Sequence, residues 1–364
     1  MKLLILAQSG PPHHGQSRAV QTLVRALSSD RNFELKHINL ELSRNSADIG
    51  RWRLGKIYTT IGTGLKGLWV LLTTGSCWLY YVPAPAKRSA LYRDWIILLL
   101  CRPWARGLIL HWHAVGLGAW LQTKATSAER WMTQRLLGRA ALAIVLAENL
   151  RADAEVLRPR LCRVVAGGVP DPAPEWVRPE RKGSVLEILF VGLGCVEKGL
   201  FATIDGAGRA HRDGCPCRLT VAGSFASPAD EQKFHQRARE LGPERLRHLG
   251  FVTDQERSRL LMESDVLCFP TFYPYEGQPA VLLEAMAFDL PIIATRWRAI
   301  PEMLPTQGVW FVEPNSPEQI AASLGTVRAS ASPRGALRAH YLANFTEERH
   351  LAAMKSALIT TLEH

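Results

Sequence analysis

Two glutamates, Glu276 and Glu284, stand eight positions apart in the stretch YEGQPAVLLEAMAFDLPIIAT (275–295). Glu284 falls inside an apolar helical pattern, beside Leu282, Leu283, Ala285 and Met286. A carboxylate among such neighbours costs free energy unless a donor pairs with it. A vicinal diol such as a ribose would serve, and so would a nearby arginine or the end of a neighbouring helix. Glu276 sits in the turn before that helix, where the first backbone amides have no internal partners. Gly277 leaves room for a ligand to reach the backbone, and Pro279 suits the first helical turn. Free amides beside a carboxylate can hold several hydroxyls at once.

Three other places carry chemistry-bearing residues. LILHWHAVG (108–116) ends an apolar run with His111 and His113. His111 is expected on the opposite side of the strand, as a core histidine. Two histidines at this spacing could begin a metal site, but no Asp, Glu or Cys stands at a useful spacing beside them. LFVGLGCVEKGL (189–200) places Lys198 after a glycine-spaced turn, whose spacing departs from the dinucleotide-binding fingerprint. AQSGPPHHGQSRAV (7–20) follows the first apolar run; here Gly15 lies in a loop, His13-His14 precede it, and Ser17 suits a helix N-cap. No D-x-D occurs anywhere in the sequence. The seven cysteines form neither a zinc spacing nor an even disulfide framework.

These residues need elements to position them. Apolar runs at Leu3–Ala7, Trp78–Val82, Gly107–His111 and Ala143–Leu146 read as buried parallel strands, with helical patterns at Ser17–Leu27 and Ser127–Leu137 between them. The stretch GLKGLWVLLTTGSCWLYYV (64–82) is broken at Thr73-Thr74-Gly75-Ser76, which predicts a short helix and then a strand. A second series runs through strands Leu186–Val191, Arg218–Ala222, Arg247–Leu249, Val266–Phe269 and Pro291–Thr295, and its helices include Pro228–Leu241, Asp254–Met262 and Ala280–Phe288. A proline-rich linker separates the two series. The expected fold class is α/β, with two Rossmann-like β/α/β domains facing across a cleft. Residues 1–169 form the first domain, 170–184 the linker, 185–345 the second domain, and 346–364 a helix returning to the first. The N-terminal run Leu3–Ala7 is shorter than a secretory signal requires and is taken as the first strand.

Charge divides the chain. Residues 1–170 hold 23 Lys+Arg against 9 Asp+Glu, or +14; the remaining 21 and 24 give −3, and together they make the net +11. A basic first half is drawn to anionic partners. Trp52, Trp69, Trp95, Trp104, Trp112 and Trp120 alternate there with Arg51, Arg53, Lys56, Lys66, Arg93, Arg102 and Arg106. Such a mixture suits a lipid headgroup layer, and equally a core of tryptophans beneath a solvated face. No nucleic-acid motif accompanies the charge, so nucleic acid is not expected as a partner.

The run HLGFVTDQERSRLLMESDVLCFPTFYPYEGQPAVLLEAMAFDLPIIATRWRAIPEML (248–304) resembles the donor domain of retaining family 4 glycosyltransferases, which have the GT-B fold. Its E-x7-E signature is Glu276 and Glu284. The resemblance implies that Glu284 binds the nucleotide ribose, and that Glu276 with the amides of Gly277 and Gln278 meets the transferred sugar and its phosphates. Pro279 and Ala280, at the start of the helix, complete that donor-binding set. Lys198 matches the lysine that neutralises the diphosphate, whereas Leu193 stands where an arginine is often found; either another cation, such as Arg296 or Arg298, compensates, or the leaving group relies more on helix N-termini. His113 matches a histidine that contacts the donor sugar near its reacting carbon, and Gly15 falls in a loop that meets donor phosphate or acceptor. Asp289 stands where the family favours glycine. YRDWIILLLCRPWARGLILHWHAVG (92–116) is similar, more loosely, to bacterial exopolysaccharide glycosyltransferases. The resemblance implies a metal-independent hexosyltransferase with no cofactor. Its donor would be a nucleotide sugar and its acceptor a saccharide or lipid-linked saccharide, handled in the cytoplasm at the membrane face during polysaccharide or lipopolysaccharide synthesis. The rival readings are a sugar-nucleotide epimerase or hydrolase, which lacks a spare acid/base pair here, and a catalytically silent sugar-binding or scaffold protein.

Overall fold

The computed structural model describes residues 1–10, 15–40, 54–180, 183–329 and 335–361. His13, His14, Arg51, Trp52 and Arg53 lie outside the described residues. The chain forms two units: Met1–Gly168 with Tyr275–Gln278 and Glu348–His364, and Val169–Pro274 with Pro279–Glu347.

The first unit is built on a six-stranded parallel sheet of β1 (Lys2–Ala7), β2 (Glu34–Asn39), β3 (Trp78–Tyr81), β4 (Gly107–His111), β5 (Leu142–Val145) and β6 (Leu161–Val164), in the order β2-β1-β3-β4-β5-β6. Strands β1, β3 and β5 are buried almost throughout, which is why they read as unbroken apolar runs rather than alternating ones. Helices α1 (Gly15–Ser28), α2 (Leu54–Thr74), α3 (Arg88–Cys101), α4 (Leu117–Thr123), α5 (Ser127–Leu137) and α6 (Arg151–Glu155) connect them. Where a short helix was predicted, α2 runs for 21 residues; Gly75 and Ser76 at positive φ then end it before β3, as the Thr-Thr-Gly-Ser break requires.

The turn from β3 into α3 is held by a buried carboxylate. Asp94 is fully buried, accepts from the Tyr81 hydroxyl and the Ala84 amide at 2.7 Å each, and pairs with Arg93 at 2.8 Å. With its lone pairs occupied, the charge is tolerated in the core.

The second unit repeats the plan with β7 (Leu186–Val191), β8 (Cys217–Ala222), β9 (Leu246–His248), β10 (Val266–Phe269), β11 (Ile292–Thr295) and β12 (Val309–Val312). All pairs are parallel, in the order β12-β11-β10-β7-β8-β9. Its helices are α7 (Leu200–Arg212), α8 (Pro228–Leu241), α9 (Asp254–Glu263), α10 (Ala280–Ala287), α11 (Ile300–Met303), α12 (Pro317–Ala329) and α13 (Ala336–Asn344). The strand order reverses between β7 and β10, and in such sheets ligands bind beyond the carboxyl ends of the strands flanking that point.

The last helix, α14 (Glu347–Thr360), lies almost wholly in the first unit. Its Met354, Ala357 and Leu358 enter the core cluster of Leu3, Ile5, Val20 and Leu27. Lys355 pairs with Asp30 at 2.8 Å, and His350 Nδ1 lies 2.7 Å from the Ala166 carbonyl. Burial of Met354 and Leu358 alone contributes roughly 1.5–3 kcal/mol each.

Candidate functional site

In the second unit the chemistry gathers at the carboxyl ends of β7 and β10. Lys198 belongs to the turn between β7 and α7; its ammonium lies 5.4 Å from the Phe269 ring centre and 4.9 Å from that of Tyr273. Two aromatic faces thus hold a cation at the switch point of the sheet. The turn closes on Gly199, at φ +82, where an added Cβ would stand 2.4 Å from the Pro270 carbonyl oxygen. Only glycine lets the two loops pack this closely. Leu193, in the same turn, is 40% exposed and supplies no charge.

The two arginines that could replace the missing cation are placed differently. Arg296 stacks 4.3 Å above Phe311 of β12. Arg298, at φ +49, donates to the Pro274 carbonyl at 3.2 Å, while the neighbouring Trp297 indole donates to the Tyr273 carbonyl at 2.8 Å. Lys198 and Arg298 therefore both engage the Tyr273–Pro274 segment.

Glu284 lies mid-way along α10 with its side chain 18% exposed, and Arg257 of α9 grips it with two bonds, Nε to Oε2 at 2.7 Å and Nη2 to Oε1 at 2.8 Å. Arg257 also reaches Asp254 Oδ1 at 3.0 Å. An arginine partner was one of the possibilities open for this carboxylate, and it is realised.

Helix α10 is anchored at its far end. The Phe288 carbonyl accepts from the Trp176 indole at 3.1 Å and from Arg178 at 3.3 Å, and Arg338 donates to the Ala287 carbonyl. Cations on these last carbonyls suit the negative end of the helix. Arg338 also holds Asp171 at 2.8 Å, so the proline-rich connector is pinned against this end rather than free. Asp289 was left without a role by sequence. Its backbone takes φ +52, and its buried carboxylate accepts from the amides of Gly335 (2.5 Å), Leu337 (3.1 Å) and Arg338 (3.2 Å), capping α13. A glycine could adopt the turn but could not make the cap, and that capping function was not visible in local sequence because its partners lie some 46 to 49 positions away.

Tyr275–Gln278 sits within the first unit. The Val115 amide donates to the Tyr275 carbonyl at 3.5 Å, the Tyr275 hydroxyl donates to the Ala86 carbonyl at 3.4 Å, and the Gly167 amide donates to Gln278 Oε1 at 2.6 Å. Lys87 lies 5.4 Å from the Tyr275 ring centre. Glu276 is buried, at 8% exposure. Gly277 packs so tightly that an added Cβ would stand 2.2 Å from the His113 carbonyl oxygen. The structure therefore packs Gly277, next in the chain to the buried Glu276, against the His113 backbone, while the Gln278 side chain is spent on anchoring the loop. Pro279 takes extended backbone at φ −66, ψ 114 as the cap residue rather than a place in the first turn, and Ala280 opens α10.

His111 and His113 do not point to opposite sides, as expected. Positions two apart on a strand share a face, and the rings stand 4.1 Å apart. His111 is buried and hydrogen-bonded through Nδ1 to the Tyr80 hydroxyl, and burial, with His113 and His350 nearby, holds its pKa well below the usual histidine value. Among the described residues no three His, Cys, Asp or Glu side chains converge as a metal site. Gly15 is the exposed first residue of α1, and Ser17 is buried inside that helix instead of capping it.

Comparison with known proteins extends the geometry. Residues 186–329 match the family described as Glycosyl transferases group 1. Over 85 residues the chain is 38% identical to MMP alpha-(1->4)-mannosyltransferase of Mycolicibacterium hassiacum, a match covering 23% of this chain and 20% of that protein. Over 148 residues it is 27% identical to the putative colanic acid biosynthesis glycosyltransferase WcaL of Salmonella typhimurium, covering 39% and 36% respectively. The matched stretches thus span well under two thirds of either relative. Among solved structures, sucrose-phosphate synthase from Thermosynechococcus elongatus superimposes over 100% of both chains with a TM-score of 0.76 at 14% identity. Anabaena HepE in complex with UDP-glucose superimposes over 99% of this chain and 100% of that one, with a TM-score of 0.69 at 16% identity. The chain has the GT-B fold, and the family match is confined to residues 186–329.

Proposed function

We propose that this chain, a GT-B protein, moves a hexosyl group from a nucleoside-diphosphate sugar to a saccharide or lipid-linked saccharide acceptor. The observation that carries this reading is the presence in one unit of Glu284, oriented by Arg257 on a helix anchored at its far end, and of Lys198 at the switch point of the sheet. Glu284, oriented by Arg257, accepts the ribose hydroxyls. Lys198 neutralises the diphosphate, and Arg298 takes the part left vacant by Leu193. The Gly277 and Gln278 amides, with the start of α10 at Pro279 and Ala280, meet phosphate and sugar; Gly15, at the start of α1, serves the same donor. Glu276 and His113 contact the sugar near its reacting carbon.

The reaction proceeds with retention and without a metal ion. The acceptor oxygen attacks the anomeric carbon on the face the leaving group departs from, the glycosidic bond to phosphate breaks, and a diphosphate oxygen takes the acceptor proton. Positive side chains beside the anionic diphosphate lower the barrier to departure, and a carboxylate near the oxocarbenium-like carbon stabilises it. The setting is polysaccharide or lipopolysaccharide assembly, at the cytoplasmic membrane face. Both named relatives are glycosyltransferases, and one is named for colanic acid biosynthesis.

Calorimetry with UDP-, GDP- and ADP-sugars, in the absence of added metal, tests the reading. Saturable binding of one nucleotide followed by sugar transfer or slow donor hydrolysis is expected. Binding without either reaction would favour a silent sugar-binding protein, a role that Leu193 in place of arginine would suit. No binding at millimolar ligand would overturn the donor site.

A further inference from the structure

Helix α2 is built inside out. Tyr58, Ile61, Leu65, Trp69 and Leu72 are 76, 38, 50, 68 and 52% exposed. Their spacing of three, four, four and three places them on one face, within an arc of about 80° at 100° per residue. The buried side is carried instead by Gly64, Gly67 and Leu71. A Cβ at Gly64 would stand 2.6 Å from Leu100 Cδ1, and one at Gly67 would stand 2.8 Å from Cys101 Sγ, so the two glycines let α3 approach the helix axis. An ordinary surface helix turns its large apolar residues inward and its small or polar ones outward. Here the ridge, about 21 Å from Tyr58 to Leu72 at 1.5 Å per residue, faces solvent. Leu99 of α3 and Trp104, in the turn that packs against α2, are each 55% exposed as well.

We infer that this ridge is the surface by which the protein lies on an anionic lipid bilayer. Charge selects lipid over a second copy of the chain. No Asp or Glu occurs in the sequence between Asp48 and Asp94, while the exposed Lys66 lies within the helix, beside the ridge. Two copies meeting ridge to ridge would bring like charges together, whereas phosphate headgroups would neutralise them. Tyr58, Trp69 and Trp104 are of the aromatic types that settle at the headgroup level. No helix among the described residues is long and apolar enough to cross a membrane, so the contact is one of lying on the surface. The inference names the contact surface for the membrane setting proposed above, and it stands on the exposed ridge rather than on the donor site.

Flotation of the full-length protein with phosphatidylcholine vesicles, with and without about 30% phosphatidylglycerol, tests it. Wild type is expected to float with the anionic vesicles and to be released by high salt. The double substitution Leu65→Gln, Trp69→Gln should reduce the bound fraction at least about tenfold, with unchanged circular dichroism because both side chains are exposed. Nucleotide binding should be unchanged in that variant, so failure of the donor site and failure of the lipid surface are read separately. Flotation of the variant like wild type would overturn the inference. So would a wild-type dimer in light scattering that the substitutions dissociate, with no vesicle binding.

Discussion

Replacing Glu284 by alanine separates what this carboxylate does for the fold from what it does for a ligand. Arg257 would lose two charge-assisted bonds but keep Asp254 at 3.0 Å, so it would not be orphaned. Both partners are less than a fifth exposed, and a pair of this kind is worth about 1–2 kcal/mol of stability. A ribose held by this carboxylate adds about 1.5–3 kcal/mol to nucleotide binding, or roughly a 10- to 150-fold rise in Kd when the carboxylate is removed. Arg257→Ala should lower stability by a similar amount but weaken nucleotide binding only about threefold, because the carboxylate remains and only its orientation is loosened. Calorimetric titration and thermal unfolding of wild type, both single variants and the double variant give the two coupling energies. A Glu284→Ala protein that loses stability yet binds nucleotide as tightly as wild type would refute the reasoning, leaving the glutamate as a structural partner of Arg257.

Gly277→Ala should push the Tyr275–Gln278 loop by about 1 Å, since its Cβ would otherwise stand 2.2 Å from the His113 carbonyl oxygen; turnover should fall about 100-fold with the melting temperature little changed, measured by donor consumption. Asp289→Gly relieves a left-handed residue but strips three amides of their acceptor, so a net loss of about 1 kcal/mol is expected in denaturant unfolding, with Asp289→Asn retaining part of the cap. His37, His111 and His350 all have pKa values lowered by burial. The unfolded chain therefore binds more protons below its ordinary histidine pKa of about 6.5, so stability should be fully present above that pH and decline as pH falls below it. Thermal unfolding from about pH 7.5 to about pH 5 checks this, and His350→Gln should flatten the slope.

The parallel strands were legible because their near-complete burial writes continuous apolar runs such as KLLILA and VLCF. Strand β2, with the sequence ELKHIN and only partial burial, carries no such run and was missed; so was β6, whose four residues include Cys162 and Arg163. The helix bearing Glu284 was visible, and so was the turn bearing Lys198. Local sequence could not reveal that Tyr275–Gln278 is held within the first unit, since its anchors at Ala86, Val115 and Gly167 lie more than a hundred positions away. Helix α2 escaped a length prediction for a different reason. Its glycines weaken helix propensity, and packing against α3 overrides that preference.

The chain passes from one unit to the other after Gly168, Pro274, Gln278 and Glu347. The first unit's core is thereby closed by a helix that follows the second unit in the chain, since Met354, Ala357 and Leu358 share one cluster with Leu3, Ile5 and Leu27. During synthesis the first sheet must wait, with that apolar surface uncovered, until the whole second unit has emerged from the ribosome. A fragment cut at the first boundary would inherit that uncovered surface permanently, so the sequence order of the units is not an order in which they can be finished.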